Sequence, residues 1–177
     1  MAKPKLTDLK RYLGEMTEPE LRAELLQLFS KLTQVQDFYA QELMSPTERK
    51  AVLEQYKKKI YGQFYTRSGN PRDPSNAELR KLLTEFQKVS VVPAELAELL
   101  LYRVEVTIDF ADEFGGMSDG SYSAASNAFE KAVKWIVQHK LETYFQIECR
   151  ELAYTRKENF DHYFKDDLQD IYNQHFG

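Results

Sequence analysis

Residues 45–64 read SPTERKAVLEQYKKKIYGQF, a polar start followed by apolar residues at helical spacing. Ser45 can accept a hydrogen bond from the amide of Glu48, and the Glu48 carboxylate can reach back to the amide of Ser45, which is the arrangement of a capping box. Pro46 suits the first turn of a helix because its missing N–H would have no partner there. The stretch predicts a helix whose apolar stripe is formed by Val52, Leu53, Tyr56, Ile60 and Phe64.

The same kind of polar start occurs at two other places in the chain. It is found at Thr17-Glu18-Pro19-Glu20 and at Ser75-Asn76-Ala77-Glu78, each again followed by apolar residues three and four apart. A further helix, predicted from Pro93 to the stop at Gly115-Gly116, is the most apolar and is expected at the centre of the fold. The last predicted helix carries Phe160, Phe164, Leu168, Ile171 and Phe176 on one face.

The predicted fold is all-α, with about nine helices arranged as antiparallel hairpins. No segment alternates apolar and polar residues for long enough to compete as a strand. Helix pairs with short connections either close into a bundle or stack as an open α-α superhelix. We favour the open superhelix because many medium-length helices in series exceed what one compact bundle core needs, although no repeat of residues is visible.

Length and composition predict one folded domain. The chain has 177 residues, of which 42% are hydrophobic and 29% charged, which is enough for both a core and a solvated exterior. The longest predicted loop is the segment 66–75, which contains Gly69, Asn70, Pro71 and Pro74. We interpret it as a weak internal break in a single domain of residues 1–177, because neither flank is long enough to make a comfortable core alone.

The features that bear on cellular location favour the cytoplasm. Cys149 is the only cysteine, so no disulfide can form within the chain. The first residues lack the apolar stretch of a secretory signal, and no apolar run approaches the length that spans a bilayer. The formal net charge of −4 argues against a dedicated binder of nucleic acid or of anionic membranes.

Several stretches resemble a family of short bacterial proteins that is described only as a domain of unknown function. They are Leu6-Thr7-Asp8-Leu9-Lys10-Arg11-Tyr12-Leu13, Tyr56-Lys57-Lys58-Lys59-Ile60, and Val104-Glu105-Val106-Thr107-Ile108-Asp109-Phe110 with Phe129-Glu130-Lys131-Ala132. The similarity runs nearly from end to end. It implies a small helical protein from a bacterium, and it implies no activity, ligand or catalytic residue.

One candidate interaction surface is basic and aromatic. Lysines and arginines bind phosphates and exposed aromatic rings stack on bases, so this surface could bind nucleic acid. The alternative is that its aromatic residues belong to the core stripe while the lysines solvate the opposite face, and the acidic total charge favours this alternative. The residues of this candidate surface are Lys57, Lys58, Tyr61, Tyr65, Arg67 and Arg72.

A second candidate site is an acidic stripe on the most apolar helix, formed by Glu105, Asp109, Asp112 and Glu113. Carboxylates on one helix face can hold metal ions, as in di-metal bundles, or tune a general base. Such metal sites place a histidine beside the carboxylates in a Glu-x-x-His pattern, and no histidine occurs nearby. The alternative is an exposed edge, or ion pairs with Arg103 and with lysines of a neighbouring helix.

The sequence contains no phosphate loop, dinucleotide fingerprint, nucleophile elbow or zinc spacing, so no catalytic residue and no cofactor is predicted. We predict a protein or peptide interaction module without catalytic activity, in which a concave helical face receives the partner. Tyrosines suit such interfaces because they combine a large apolar ring with a polar end; they include Tyr39, Tyr61, Tyr65, Tyr102, Tyr122 and Tyr154. Nucleic-acid binding and a metal-dependent enzyme are the alternatives, and the sequence leaves the oligomeric state open.

Overall fold

The computed structural model describes residues 5–155, 157 and 161–177, with residues 41 and 42 described by their backbone alone. This part of the chain contains nine α-helices and no β-strand, which confirms the predicted all-α fold. Phe160, predicted on the face of the last helix, lies outside the described residues. The helices are α1 (Leu6–Gly14), α2 (Glu18–Lys31), α3 (Thr33–Leu43), α4 (Pro46–Tyr61), α5 (Asn76–Val89), α6 (Pro93–Phe114), α7 (Asp119–Gln138), α8 (Glu142–Ala153) and α9 (His162–Phe176).

The structure has a helix at each of the three predicted starts, but the hydrogen bonds that cap these helices differ. At α4 the amide of Ser45 donates to Oε2 of Glu48 at 2.8 Å, and the amide of Glu48 donates to Oγ of Ser45 at 3.3 Å. At α2 the amide and the hydroxyl of Thr17 both donate to the carboxylate of Glu20. At α5 the hydroxyl of Ser75 accepts from the amide three residues on. A capping box is therefore present at α4 and at α2, whereas α5 has the serine cap alone.

Contacts within the chain divide it into two compact units. The N-terminal unit, Met1–Leu43, contains α1–α3, and the C-terminal unit, Met44–Gly177, contains α4–α9. The loop 66–75, predicted as a weak internal break, lies inside the C-terminal unit. There the amide of Thr66 donates to the carbonyl of Asn70 at 2.8 Å, and the amide of Arg72 donates to the carbonyl of Phe64 at 2.9 Å, so the loop folds back on itself. The single domain of residues 1–177 stays a prediction.

The core of the C-terminal unit is built around α6 and α7. Helix α6 packs on α4, α5, α7 and α8, and α7 packs in addition on α9. Contacts between helices that are two apart in sequence, such as α4 with α6 and α7 with α9, occur both in stacked helix pairs and in a closed bundle. The predicted open superhelix is therefore not confirmed.

Helix α6 takes the central place because it is apolar on nearly every side. Twelve of its residues are buried, among them the consecutive Leu99, Leu100 and Leu101, which point in three directions around the helix axis. The helix ends where Gly115 adopts a left-handed conformation with φ of 80°, and the amide of Gly115 bonds to the carbonyl of Ala111. The expected central position of this helix and its stop at the glycine pair are confirmed.

Candidate functional site

Lys57, the first residue of the predicted basic surface, is an ion-pair partner of α6. Its Nζ lies 2.5 Å from Oε1 of Glu98 and 3.5 Å from Oε1 of Glu54, and it lies 5.3 Å from the ring centre of Tyr102. Desolvation alone would lower the pKa of Lys57, but the hydrogen bond and charge of Glu98, together with Glu54, raise it. A lysine held between two carboxylates already has its counter-charge, so it contributes little attraction for phosphate.

Of the two tyrosines of this surface, Tyr65 packs on the C-terminal end of α6 and Tyr61 packs on Tyr65. The rings of Tyr61 and Tyr65 lie 4.8 Å apart, and the Tyr65 ring meets Phe110 edge-on at 5.9 Å and Phe114 at 6.3 Å. The hydrogen bond with Tyr61 raises the pKa of Tyr65 to about 12, with further contributions from burial and from nearby carboxylates. Tyr65 is therefore part of an aromatic cluster, and its ring is not free to stack on a base.

The remaining cations of the basic surface are exposed. Lys58 lines a shallow depression of about 440 Å³ together with Lys57 and Tyr61. Arg67 and Arg72 lie in the loop that follows α4, where Nε of Arg72 donates to the carbonyl of Gln63 at 3.1 Å. The structure brings Lys57, Lys58 and Tyr61 onto the end of α4, whereas Tyr65, Arg67 and Arg72 belong to the segment that follows it.

The acidic stripe adjoins the aromatic cluster. Tyr65 packs on Phe110 and Phe114, which directly follow Asp109 and Glu113 on α6, so the two predicted sites are neighbours. Nζ of Lys157 lies 2.6 Å from Oδ1 of Asp109, so a residue of the α8–α9 connection supplies one counter-charge. The two sites that the sequence presents as separate thus form one surface on α4 and α6.

This surface does not assemble a metal centre among the described residues. No group of three histidine, cysteine, aspartate or glutamate side chains converges there or elsewhere in that part of the chain. Glu105 lies at the helix surface, and partial desolvation of its carboxyl together with the charge of Asp109 raises its pKa. Asp112 is half-buried and has a partner, and Glu113 is exposed. Each described carboxylate of the acidic stripe thus has its own neighbours, and no three of them converge as metal ligands would.

Arg103 departs from its expected role as an ion-pair partner of the acidic stripe. It is 1% exposed on α6, and its described hydrogen-bond partners are Oγ1 of Thr107 and, at 3.4 Å, Oδ1 of Asn76. Its Cζ lies 5.4 Å from the ring centre of Phe64. Burial lowers the pKa of Arg103 to about 10. None of these partners carries a negative charge.

A pocket of about 380 Å³ lies beside Arg103, between α5, α6 and α7. Sequence reasoning missed it because the pocket exists only where the faces of α5, α6 and α7 pack together, and that packing is not visible in the sequence. One signal was present: Arg103 follows Leu99 and Leu100 by four and three residues, which places it on an apolar face of the most apolar helix.

The N-terminal unit presents a different kind of surface. None of its described residues is buried, and α1 and α2 have no buried residue at all. In the described part of the chain, ten of the seventeen exposed large hydrophobic residues lie in this unit. They are Leu6, Leu9, Tyr12, Leu21, Leu25, Leu26, Leu28, Leu32, Phe38 and Leu43. Three helices with apolar stripes thus leave those stripes in contact with water.

The described residues define an all-helical protein with one packed helical core and one unit of uncovered amphipathic helices. A family model described as "Family of unknown function (DUF6155)" matches residues 2–175, so the chain belongs to that family. The predicted membership of a family of unknown function is confirmed. No match is found among curated proteins or among solved structures. In the part of the chain that the structure describes, no helix is long and apolar enough to cross a membrane.

Proposed function

We propose that the protein is a protein-interaction module that binds an amphipathic helix of another protein on α1–α3. The observation that carries this proposal is the exposure of ten large apolar side chains on a unit with no buried residue among those described. Monomeric proteins rarely leave contiguous apolar patches uncovered, and such patches mark interaction sites.

The spacing of the exposed residues favours a helical partner. Leu21, Leu25 and Leu28 follow one another at intervals of four and three along α2, and Leu6 and Leu9 do the same on α1. A stripe of this kind is the surface that an amphipathic helix recognises with its own residues at i, i+3, i+4 and i+7. The docking surface is defined here as the ten exposed apolar residues of α1–α3.

Charge favours a protein over a nucleic acid as the partner. The first 43 residues contain six Lys or Arg and seven Asp or Glu, so the unit carries no excess of positive charge. Two of its cations are already paired, Arg11 with Asp8 and Arg22 with Glu18. A polyanion would gain little from this surface, whereas an apolar helix would gain from burial at roughly 25 cal/mol per Å².

We place this activity in the cytoplasm, in line with the single cysteine. Cys149 is fully buried on α8, and burial together with the charge of Glu148 raises its pKa to about 12. A thiol in this state is suited to a structural role in a reducing compartment.

Paired variants of equal exposure test the docking surface. Leu26 in the N-terminal unit is 70% exposed and Ile147 on α8 is 73% exposed, so Leu26→Gln and Ile147→Gln remove similar apolar surface. A partner is first identified by cross-linking to the wild-type protein in native lysate, and its binding is then measured with pure components. We expect this partner to bind the Ile147→Gln variant as it binds the wild-type protein. We expect Leu26→Gln combined with Leu9→Gln to weaken that binding at least about tenfold, since hot-spot residues contribute about 1 kcal/mol or more each.

Two results would contradict the proposal. One is a reconstituted partner that binds the double variant and the wild-type protein equally well. The other is a concentration-dependent dimer in sedimentation that dissociates on Leu26→Gln, because the surface would then be occupied by a second copy of this chain.

A further inference from the structure

Arg103 is a buried cation whose described partners are all neutral. Moving a charge out of water is costly unless a counter-charge or a full set of hydrogen bonds replaces the lost hydration. A guanidinium has five N–H donors, and only two hydrogen bonds, to Thr107 and to Asn76, are present in the described residues. The bond to Asn76 is long, at 3.4 Å. Among the described residues, Arg103 is therefore neither neutralised nor fully hydrogen-bonded.

The pocket beside Arg103 has the chemistry of an anion site. Its polar lining residues are cations, amides and a hydroxyl: Arg103, Arg80, Lys131, Asn76, Asn127 and Thr84. Its other lining residues are apolar, and none of the lining residues is an aspartate or a glutamate. In a chain with four more acidic than basic residues, a pocket that gathers three cations and excludes carboxylates is a marked departure from the average.

We propose that this pocket, called here the Arg103 pocket, binds a small molecule that bears a phosphate or carboxylate group. The guanidinium of Arg103 supplies the buried charge, and Arg80 and Lys131 supply the outer charges. The inference is independent of the docking of a partner on α1–α3.

The shape of the guanidinium supports an oxyanion as the ligand. Arginine presents a planar fork of N–H donors that matches two oxygens of a carboxylate or a phosphate. Asn76 also donates its Nδ2 to the carbonyl of Gly120 at 3.1 Å, which turns its Oδ1 toward Arg103. An incoming oxyanion would take over the weak contact of Asn76 and add the negative charge that the amide lacks.

Two further features agree with this assignment. Asn76 is the first residue of α5, so the N-terminal end of that helix, with its partial positive charge, lies at the pocket. The volume of about 380 Å³ lies within the range of small-molecule sites, which begins at about 300 Å³. The pocket can therefore hold the oxyanion and a small attached group.

Inorganic phosphate and succinate are suitable first probes, each added to the full-length chain at constant ionic strength in place of chloride. A millimolar site corresponds to binding that saturates by about 10 mM. At ten times its Kd, a ligand that binds only the folded state should raise Tm by about 3–6 °C for a protein of this size. Saturation by phosphate alone assigns the ligand to the phosphate class, and saturation by succinate alone assigns it to the carboxylate class.

Matched variants on α5 separate the pocket from general salt effects. Arg80 lines the pocket, whereas its neighbour Lys81 is exposed and pairs with Glu78 at 3.8 Å outside it. Arg80→Gln should leave the Tm without ligand nearly unchanged and weaken phosphate or succinate binding about tenfold, the effect of losing one charge-assisted contact. Lys81→Gln should bind like the wild-type chain.

Arg103→Met tests the buried charge itself. Because it replaces an unneutralised cation with an apolar side chain of similar length, it should abolish the ligand-induced rise in Tm while leaving the Tm without ligand equal or higher. The proposal is overturned if neither probe gives a saturable rise, if Arg80→Gln and Lys81→Gln respond equally, or if a folded Arg103→Met chain keeps the full response.

Discussion

Helices α2 and α5 have the same length and similar patterns, but they meet different environments. Both have 14 residues, both begin after a hydroxyl residue at the cap, and both place leucines three and four apart. Helix α5 buries Leu79, Leu83 and Phe86, whereas α2 buries no residue. The apolar stripe therefore identifies a helix and the face that it can bury, but it does not indicate what covers that face.

The same contrast separates the two units as a whole. In the C-terminal unit the stripes of α4–α9 meet one another in one core around α6 and α7. In the N-terminal unit the rings of Phe29, Phe38 and Tyr39 contact one another, but all three side chains remain at least partly exposed. Stability should therefore reside in the C-terminal unit, and the apolar surface of α1–α3 should be available for binding.

The largest expected effect comes from truncating equivalent leucines in the two units. Leu100 on α6 is fully buried, so Leu100→Ala should lower the free energy of unfolding by about 2–5 kcal/mol, through lost burial and the cavity left behind. Leu26→Ala should change it by no more than about 0.5 kcal/mol because this side chain is already in water. Urea unfolding measures both, with circular dichroism reporting the helices of both units and the fluorescence of Trp135, the only tryptophan, reporting the C-terminal unit. Equal losses would contradict the contrast.

A smaller difference in the free energy of unfolding is expected between variants of the helix caps in the two units. Ser45 has both halves of its capping box, so Ser45→Ala should cost about 1 kcal/mol in the same unfolding experiment. Thr17→Ala removes a cap of the N-terminal unit and should leave the unfolding transition reported by Trp135 in place. A shift of that transition by Thr17→Ala as large as that by Ser45→Ala would show that the two units unfold together.

The ion pair between α4 and α6 should contribute less again. Glu98→Gln removes the closest partner of Lys57, and the expected loss is under about 1 kcal/mol because Glu98 is partly exposed and Glu54 remains nearby. Added salt should reduce the difference between the variant and the wild-type chain. A loss of several kcal/mol would mean that the pair is far better shielded from water than its exposure indicates.

At neutral pH the smallest expected effect is that of the Tyr65 phenol, which titrates only in alkaline solution. Its pKa is raised to about 12 from an ordinary value of 10.0, so the folded state holds the phenol proton more tightly than the unfolded chain does. The resulting stability is fully present below about pH 10 and is lost as the pH rises toward 12. Ultraviolet absorbance should show a late phenolate step that belongs to the Tyr61–Tyr65 pair, and Tyr65→Phe should remove it. If the step persists in Tyr65→Phe, another tyrosine is its source.

The elements of this fold could be predicted from the sequence because their causes are local. The caps at Thr17, Ser45 and Ser75, the proline at the start of α6 and the left-handed Gly115 each act within a turn of the helix. The arrangement of the helices could not be predicted in the same way. Which helix packs on α6 depends on shape and on residues far apart in the chain, and the predicted superhelix is not confirmed for this reason.

The candidate sites show the same limit. The sequence shows Lys57 as one of three adjacent lysines and predicts a free basic side chain. In the structure Lys57 instead pairs with Glu98, 41 residues away in sequence. Arg103 reads as a neighbour of the acidic stripe, yet a helical position on the inner side of α6 directs it to Asn76 and Thr107 instead. The residue types were visible in the sequence, but the partners that decide their chemistry were not.

Amide hydrogen exchange in the free protein tests most directly whether the two units differ as proposed. Amides in the middle of α6 and α7 should exchange only through global unfolding, because both helices are enclosed by others, whereas amides of α1–α3 should exchange through local opening with much lower protection. Protection of α2 equal to that of α6 would contradict this account, since it would require a cover for the apolar faces of the N-terminal unit.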